Sequence, residues 1–293
     1  MDAEEKLRRV NMRINNNVNA LIANNQMNKN TALQSRSMEK LSSGLRIKRA
    51  ADDSAGLAIS EKMRNQIKGL NQAGLNVQDG ISVVQTAEGA LEETGNILKR
   101  MSQLAVQSAN ETNTASEREK IANELVQLSD EVARMSKTTE FNGKQLLDGS
   151  TTELSLQVGT SGSSNNQISV NLVNTAEIMN TAGITSSAIA SMKAGTTEAT
   201  KAARTMMSNI DKALADVNSA RSTIGAQQNR LESTQVNLSN TVENVTAAES
   251  RIRDTDVASE MVQLSKLNIL AQASQSMLAQ ANQQPQSILQ LLQ

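Results

Sequence analysis

From Met63 onward, apolar residues recur four and then three positions apart: Ile67, Leu70, Val77, Ile81, Val84, Leu91 and Leu98, with Gly74, Glu88 and Gly95 filling the remaining slots. A helix turns once every 3.6 residues, so this spacing lays one stripe along one face. It predicts a heptad seam over about five repeats, a helix of roughly 75 Å. A second seam runs Ile121, Leu125, Leu128, Val132, Met135. A third starts at Ile210 and continues through Leu214, Val217, Ile224, Leu231, Leu238, Val242, Val245 and Ile252 without losing phase, although Arg221, Gln228, Gln235 and Glu249 are polar members of it. Three such helices laid antiparallel make a rod-like bundle, so the fold class expected is mainly α.

The phase slips once. After Ile252 the next step lands on Asp256, and the apolar set resumes one residue late at Val257, Met261, Leu264, Leu267 and Leu270. Near the other end, Gly44 to Gly56 breaks the helical run with glycines and a basic-then-acidic cluster, Arg46, Lys48, Arg49, Asp52 and Asp53. These breaks divide the chain into an N-terminal helix over 12–43, a connector over 44–56, a helical core over 57–252 and a C-terminal helix over 253–293. The N-terminal stripe is Ile14, Val18, Leu21 and Ile22, continued weakly by Met38 and Leu41. Each end is too thinly apolar to bury its stripe unaided, so the two ends need each other or other molecules. Together they are expected to form a terminal coiled-coil domain.

The middle of the chain has another texture. Leu154, Leu156 and Val158 alternate with polar residues, as do Ile168, Val170 and Leu172, and a Gly- and Ser-rich loop lies between the two sets. Period-two alternation around a loop predicts one β-hairpin near 153–173. Glu140-Phe-Asn-Gly143 and Asp148-Gly149 read as turns. Thr181–Thr200, rich in small residues, leads into the last long helix.

Composition narrows the chemistry. There is no Trp, Tyr, His or Cys, Phe141 is the only aromatic and Pro285 the only proline. The apolar content is therefore the kind that fills helix seams, and almost nothing forbids long helices. Without His or Cys there is no Ser-His-Asp arrangement, no thiolate nucleophile and no His-ligated metal. Glu92/Glu93 and Asp52/Asp53 are adjacent in sequence and do not converge on one helix face. No phosphate-binding glycine motif occurs, so neither catalysis nor a cofactor is expected. A formal net charge of -1 gives no basic footprint for nucleic acid. No stretch is apolar enough to insert in a membrane, and the N-terminus lacks the pattern of a signal peptide. The missing Cys fits either chance or export as an unfolded chain, where a stray thiol risks wrong disulfides.

Several segments resemble the bacterial flagellin family. They are Met12-Arg-Ile-Asn-Asn-Asn, Leu41-Ser-Ser-Gly-Leu-Arg-Ile47, Ala51-Asp-Asp-Ser-Ala-Gly-Leu-Ala-Ile59 and Gly80-Ile-Ser-Val-Val-Gln-Thr-Ala-Glu-Gly-Ala-Leu91. Leu104-Ala-Val-Gln-Ser-Ala-Asn110, Glu140-Phe-Asn-Gly-Lys144, Ala248-Glu-Ser-Arg-Ile-Arg-Asp-Thr-Asp256, Ala279-Gln-Ala-Asn-Gln283 and Pro285-Gln-Ser287 complete the set in family order. With so little chain between the matched ends, the resemblance is to a minimal type without extra surface domains.

The resemblance implies a structural subunit whose ends coil together as an inner tube around a filament channel. It implies type III export to the outside of the cell, and as partners a flagellar export chaperone, the filament cap and the hook–filament junction proteins. A head-to-tail interface that does not close would generate the helical homopolymer. Ile14, Val18, Leu21, Ile22, Val257, Met261, Leu264, Leu267 and Leu270 are the candidate self-assembly residues. Arg46, Lys48, Arg49, Asp52 and Asp53 are candidates for ion pairs between subunits, against the alternative of a solvated charged turn. By the same resemblance, Arg100, Leu104, Gln107 and Glu124 match a surface recognised by the vertebrate flagellin-sensing Toll-like receptor, an innate immune receptor. Residues 1–11 do not fit the family pattern. They are expected to be an upstream extension, with Arg8-Arg9 encoded by a purine-rich ribosome-binding site ahead of a start at Met12. The alternatives are a hook–filament junction protein of the same axial family and a cytoplasmic coiled-coil signalling module.

Overall fold

The computed structural model describes residues 17–193 and 197–291, with side chains placed for all of these except residue 197 and residues 285–291. The expectations for residues 1–11 and for Ile14 lie outside the described residues. The elements run α1 (Val18–Ser43), α2 (Ser54–Ser108), α3 (Ala115–Thr138), β1 (Glu140–Phe141), β2 (Lys144–Gln145), β3 (Glu153–Gln157), β4 (Gln167–Asn171), α4 (Thr175–Thr181), α5 (Ser186–Ala190), α6 (Thr197–Arg253) and α7 (Val257–Leu291).

Caps explain where the helices start and stop. The Asn17 side chain accepts from the Ala20 N–H, and α1 ends on Gly44 in the left-handed region at φ 70°, where a Cβ would be strained. Asp53 caps α2 by accepting the Gly56 N–H at 2.9 Å. Thr114 and Glu117 form a reciprocal capping box on α3. Asp256 accepts the N–H groups of Ala258 and Ser259 at the start of α7, so the one-residue slip in the heptads is the break between α6 and α7.

The chain folds as two compact units. The first takes residues up to Arg64 and from Thr246 onward; the second is Asn65–Val245. In the second unit, α2 and α6 run antiparallel: Gly74 lies by Gln235, Glu88 by Arg221 and Gly95 by Val217. Two apolar clusters fill it. One joins Leu98, Met101 and Leu104 of α2 to Ile121, Leu125 and Val132 of α3, and to Met206, Ile210 and Val217 of α6. The other joins Leu70, Val77, Val84 and Leu91 of α2 to Ile224, Leu231 and Leu238 of α6 and to Ile168 and Val170 of β4. Each such side chain, fully buried, contributes about 1.5–3 kcal/mol, so all three seams read from the sequence form the core.

The expected hairpin is β3–β4, antiparallel, with Leu156 opposite Ile168 and Leu154 opposite Val170. It lies against α2 where Gly80 presents no side chain; a Cβ there would overlap Leu156. Asn76 Nδ2 donates to the Gln157 carbonyl at 3.0 Å and ties the same edge down. A second, smaller strand pair, β1–β2, closes on Asn142 (φ 50°) and Gly143 (φ 76°). Two positive-φ residues are what a tight two-residue hairpin needs. Two short helices follow, α4 capped by Asn174 and α5 capped by Thr185, the second within the Thr181–Thr200 stretch expected to be a plain lead into α6. They form because Met179, Ile184, Ile189 and Met192 find burial in the first cluster.

Candidate assembly surface

In the first unit α1 and α7 pack as an antiparallel pair, and the seam between them is polar. Asn30 Nδ2 donates to Ser274 Oγ at 2.9 Å, Gln34 Nε2 to Asn268 Oδ1 at 2.7 Å and Ser37 Oγ to Glu260 Oε1 at 2.5 Å. Nearer the ends of the pair, Asn17 Nδ2 donates to the Ala281 carbonyl at 2.6 Å. The only buried residues of α1 are Asn30 and Ser37, seven positions apart.

Most of the large apolar side chains of the pair lie outside the seam. Leu21 is 59% exposed, Ile22 61%, Val262 71% and Met277 64%. Val18, Val257, Met261 and Leu270 are exposed as well, and Leu264 is half-buried. Leu267, expected among the self-assembly residues, needs correction: it is 3% exposed and already buried within the chain. Ile22, Ala23, Leu270 and Met277, together with Asn30 and Ser274, are among the residues that line a groove of about 560 Å³ along the pair. A soluble helix normally turns its apolar stripe inward. Here the pairing is specified by hydrogen bonds while most of the apolar surface is left over.

The charged residues of the connector find partners inside the chain. Arg49 Nη2 donates to both Glu39 carboxylate oxygens, at 2.8 and 3.0 Å, and Lys48 Nζ lies 2.8 Å from the same carboxylate. Asp52 accepts the N–H groups of Arg49 at 3.0 Å and Lys48 at 3.3 Å, and Asp53 caps α2. Arg46 donates through its guanidinium to the Ile252 carbonyl. The hydrogen bonds from Lys48 and Arg49 hold the Glu39 carboxyl below its ordinary pKa, and the two backbone N–H groups do the same for Asp52.

The connector is stitched to the α6–α7 break. The Arg46 N–H donates to the Arg253 carbonyl at 2.7 Å and the Thr255 N–H to the Gly44 carbonyl at 2.9 Å, around a bridge between Leu45 and Asp254. Ile47 is buried beside Gly56, which has no room for a Cβ. Arg253, itself buried, pairs with Glu61 at 2.5 Å. Glu39, Glu61, Asn30, Ser37 and Arg253 are absent from the residues that the sequence singled out. The seven-residue spacing of Asn30 and Ser37 is the signal in the sequence that marks the seam.

In the second unit, Arg100 of α2 and Glu124 of α3 form an ion pair at 2.8 Å, both exposed, with Gln107 exposed on α2. Leu104, grouped with them by resemblance, is corrected here: at 2% exposure it belongs to the core and presents nothing to a partner. Among the described residues no cluster of Asp and Glu is arranged to hold a metal, and no helix is long and apolar enough to cross a membrane.

Residues 14–152 match the bacterial flagellin N-terminal helical region, and residues 207–292 match the bacterial flagellin C-terminal helical region. A flagellin of Halalkalibacterium halodurans is 50% identical over 281 residues, covering 96% of this chain and 100% of the relative. A flagellin of Bacillus subtilis is 48% identical over 306 residues, with the same coverage of 96% and 100%. The structure of a putative flagellar hook-associated protein from Vibrio parahaemolyticus aligns with a TM-score of 0.59 at 16% identity, covering 69% of this chain and 100% of that one; it shares the fold.

Proposed function

This chain belongs to the bacterial flagellin family, and we propose that it polymerises through the apolar side chains that α1 and α7 turn outward. It is a structural subunit of the flagellar filament and not an enzyme. The hook–filament junction alternative is not favoured: the relatives at 50% and 48% identity over nearly the whole chain are flagellins, whereas likeness to a hook-associated structure stands at 16%.

The observation that carries the assembly reading is the inversion of the α1–α7 pair. Leu21, Ile22, Val262 and Met277 stay in water while Asn30 and Ser37 are buried. Removing apolar surface from water is worth about 25 cal/mol per Å², so neighbouring copies that cover these side chains gain what the isolated pair forgoes. Subunits related head to tail by a rotation that does not close then form a helix. The connector contributes by fixing where α1 ends and α7 begins, since its charges are spent on Glu39 and on backbone groups within the chain.

Electron microscopy of the purified protein after mild concentration tests this reading. Filaments are expected from the parent and none from Ile22→Asp, whose helical content is unchanged because position 22 is exposed in the monomer. Filaments from the variant at the parental concentration would remove α1 from the interface.

Family membership also supports export to the cell exterior, a chaperone before export, and the cap and junction proteins as filament partners. The exposed Arg100, Gln107 and Glu124 support recognition by the flagellin-sensing Toll-like receptor, without Leu104. A reporter-cell assay with monomer is expected to respond to the parent and weakly to Arg100→Ala; silence from the parent ends that proposal.

A further inference from the structure

Among the described residues three methionines are exposed: Met38 of α1 at 55%, Met261 of α7 at 49% and Met277 of α7 at 64%. All three lie on the α1–α7 pair. The described methionines of the second unit are buried or half-buried, with Met101, Met192 and Met206 sealed in the first apolar cluster. Met277 stands on the wall of the groove that Ile22 and Leu270 also line. The hydrogen bonds of the seam use none of the three, since they join Asn30 to Ser274, Gln34 to Asn268 and Ser37 to Glu260. The chain has no cysteine, so thioethers are its only sulfur, and their full exposure is confined to one pair of helices.

We propose that Met38, Met261 and Met277 are sites of reversible oxidation by peroxide, and that their sulfoxides block assembly of the subunit without unfolding it. The proposal rests on the reading of the α1–α7 face as the assembly surface and names a regulation of that face. A lone pair of the thioether sulfur attacks one oxygen of hydrogen peroxide. The S–O bond forms as the O–O bond breaks, and hydroxide leaves. The proton on the transferred oxygen passes to that hydroxide, so the products are the sulfoxide and water. Sulfur is oxidised by two electrons and the peroxide is reduced by two. A sulfoxide is polar and chiral where the thioether was apolar and adaptable. On Met277 it places a hydrogen-bond acceptor in the groove wall that a neighbouring copy would cover, and an acceptor buried there without a donor opposes burial. Burial keeps the oxidant from Met101, Met192 and Met206. The seam bonds and the core of the second unit therefore survive, and only the outward face of the pair changes.

Monomer treated with hydrogen peroxide and mapped by peptide mass spectrometry tests this. Sulfoxide is expected at Met38, Met261 and Met277 about tenfold faster than at Met101, Met192 and Met206, with helical content unchanged. The critical concentration for assembly is expected to rise about tenfold, and the two methionine sulfoxide reductases, one for each epimer, should restore the parental value. Preformed filaments given the same dose should be protected at Met277. Equal oxidation of the core methionines, assembly of the oxidised monomer at the parental concentration, or failure of the reductases to restore it would overturn the proposal. So would oxidation of Met277 as fast in filaments as in monomer. Met38→Leu/Met261→Leu/Met277→Leu keeps the surface apolar and removes the sulfur, so it is expected to assemble with or without peroxide. A peroxide block of that variant would place the damage elsewhere and overturn the assignment, while the reductase step decides the matter on the parent chain. The assembly reading itself fails on different results, namely filaments from Ile22→Asp or none from the untreated parent.

Discussion

Asn30 donates its carboxamide to Ser274 Oγ at 2.9 Å, in a seam position where a self-sufficient coiled coil would place a leucine. A buried amide at such a position specifies register at a cost in stability. The α1–α7 pair is therefore well aligned and weakly held, and it keeps its leucines and isoleucines for other surfaces. Asn30→Ala is expected to lose the Ser274 bond and the weaker one to the Leu270 carbonyl, at a cost of about 1 kcal/mol. Hydrogen exchange along α1 checks this: protection should fall in α1 and α7 and stay unchanged in α3.

Much of this was legible in the sequence, because long heptads and punctuating glycines are strong local signals. The seam from Leu70 to Leu98 forms the cores of the second unit, the Gly44–Gly56 break is the connector, and the slip after Ile252 is the gap before Val257. Period alone does not say which side of a helix faces water. Leu267 and Leu270 look equivalent on paper, yet one is buried against α1 and the other exposed. Nor does it identify pairings between elements, such as Arg49 with Glu39 across the end of α1 or Arg253 with Glu61. Those depend on where the connector meets the α6–α7 break. The short helices α4 and α5 escaped because a helix of one or two turns leaves no periodicity to detect.

The close approach at Gly80 gives a test of how the β3–β4 hairpin is seated. In an exposed helix, Gly→Ala is favourable by about 0.5–1 kcal/mol. At Gly80 the added Cβ would overlap Leu156, and overpacking of this kind costs about 1–3 kcal/mol. The expected sum is a destabilised second unit, read as a lower urea midpoint. Gly89→Ala, where nothing lies within 4 Å of the new Cβ, should raise the midpoint instead. A double variant, Gly80→Ala/Leu156→Ala, should recover part of the Gly80→Ala loss, since the overlapping atoms are gone.

The ion pair between Arg253 and Glu61 is asymmetric: the arginine side chain is buried and the glutamate is half exposed. Removing the glutamate leaves a buried guanidinium short of its acceptor, whereas removing the arginine leaves a carboxylate that water can solvate. Hydrogen bonds to charged groups contribute about 1.5–3 kcal/mol, so Glu61→Ala is expected to destabilise the connector region by about 2 kcal/mol. Arg253→Met, which keeps the buried stem, should cost less. Proteolytic cleavage after Arg46, Lys48 or Arg49, faster in Glu61→Ala than in Arg253→Met, is the measurement.

Acid should loosen the connector. Lys48 and Arg49 hold Glu39 below its ordinary pKa through side-chain hydrogen bonds, and the N–H groups of Arg49 and Lys48 do the same for Asp52. A carboxylate whose pKa is lower in the folded chain binds its proton more weakly there than when unfolded. Its stabilising contribution is therefore complete above the unfolded value and is lost as pH falls through the folded one. The ordinary values lie near pH 4, so the connector should be intact at neutral pH and weaken progressively below about pH 4. NMR titration of the Glu39 carboxyl is expected to show a midpoint below that of an ordinary glutamate. Lys48→Ala should move that midpoint upward, and Lys48→Ala/Arg49→Ala further still. A midpoint that stays put in the double variant would show that the two cations do not set it. Loss of the Leu45–Asp254 bridge at a higher pH in the double variant than in the parent would tie the carboxylate to the stitch between connector and α6–α7 break.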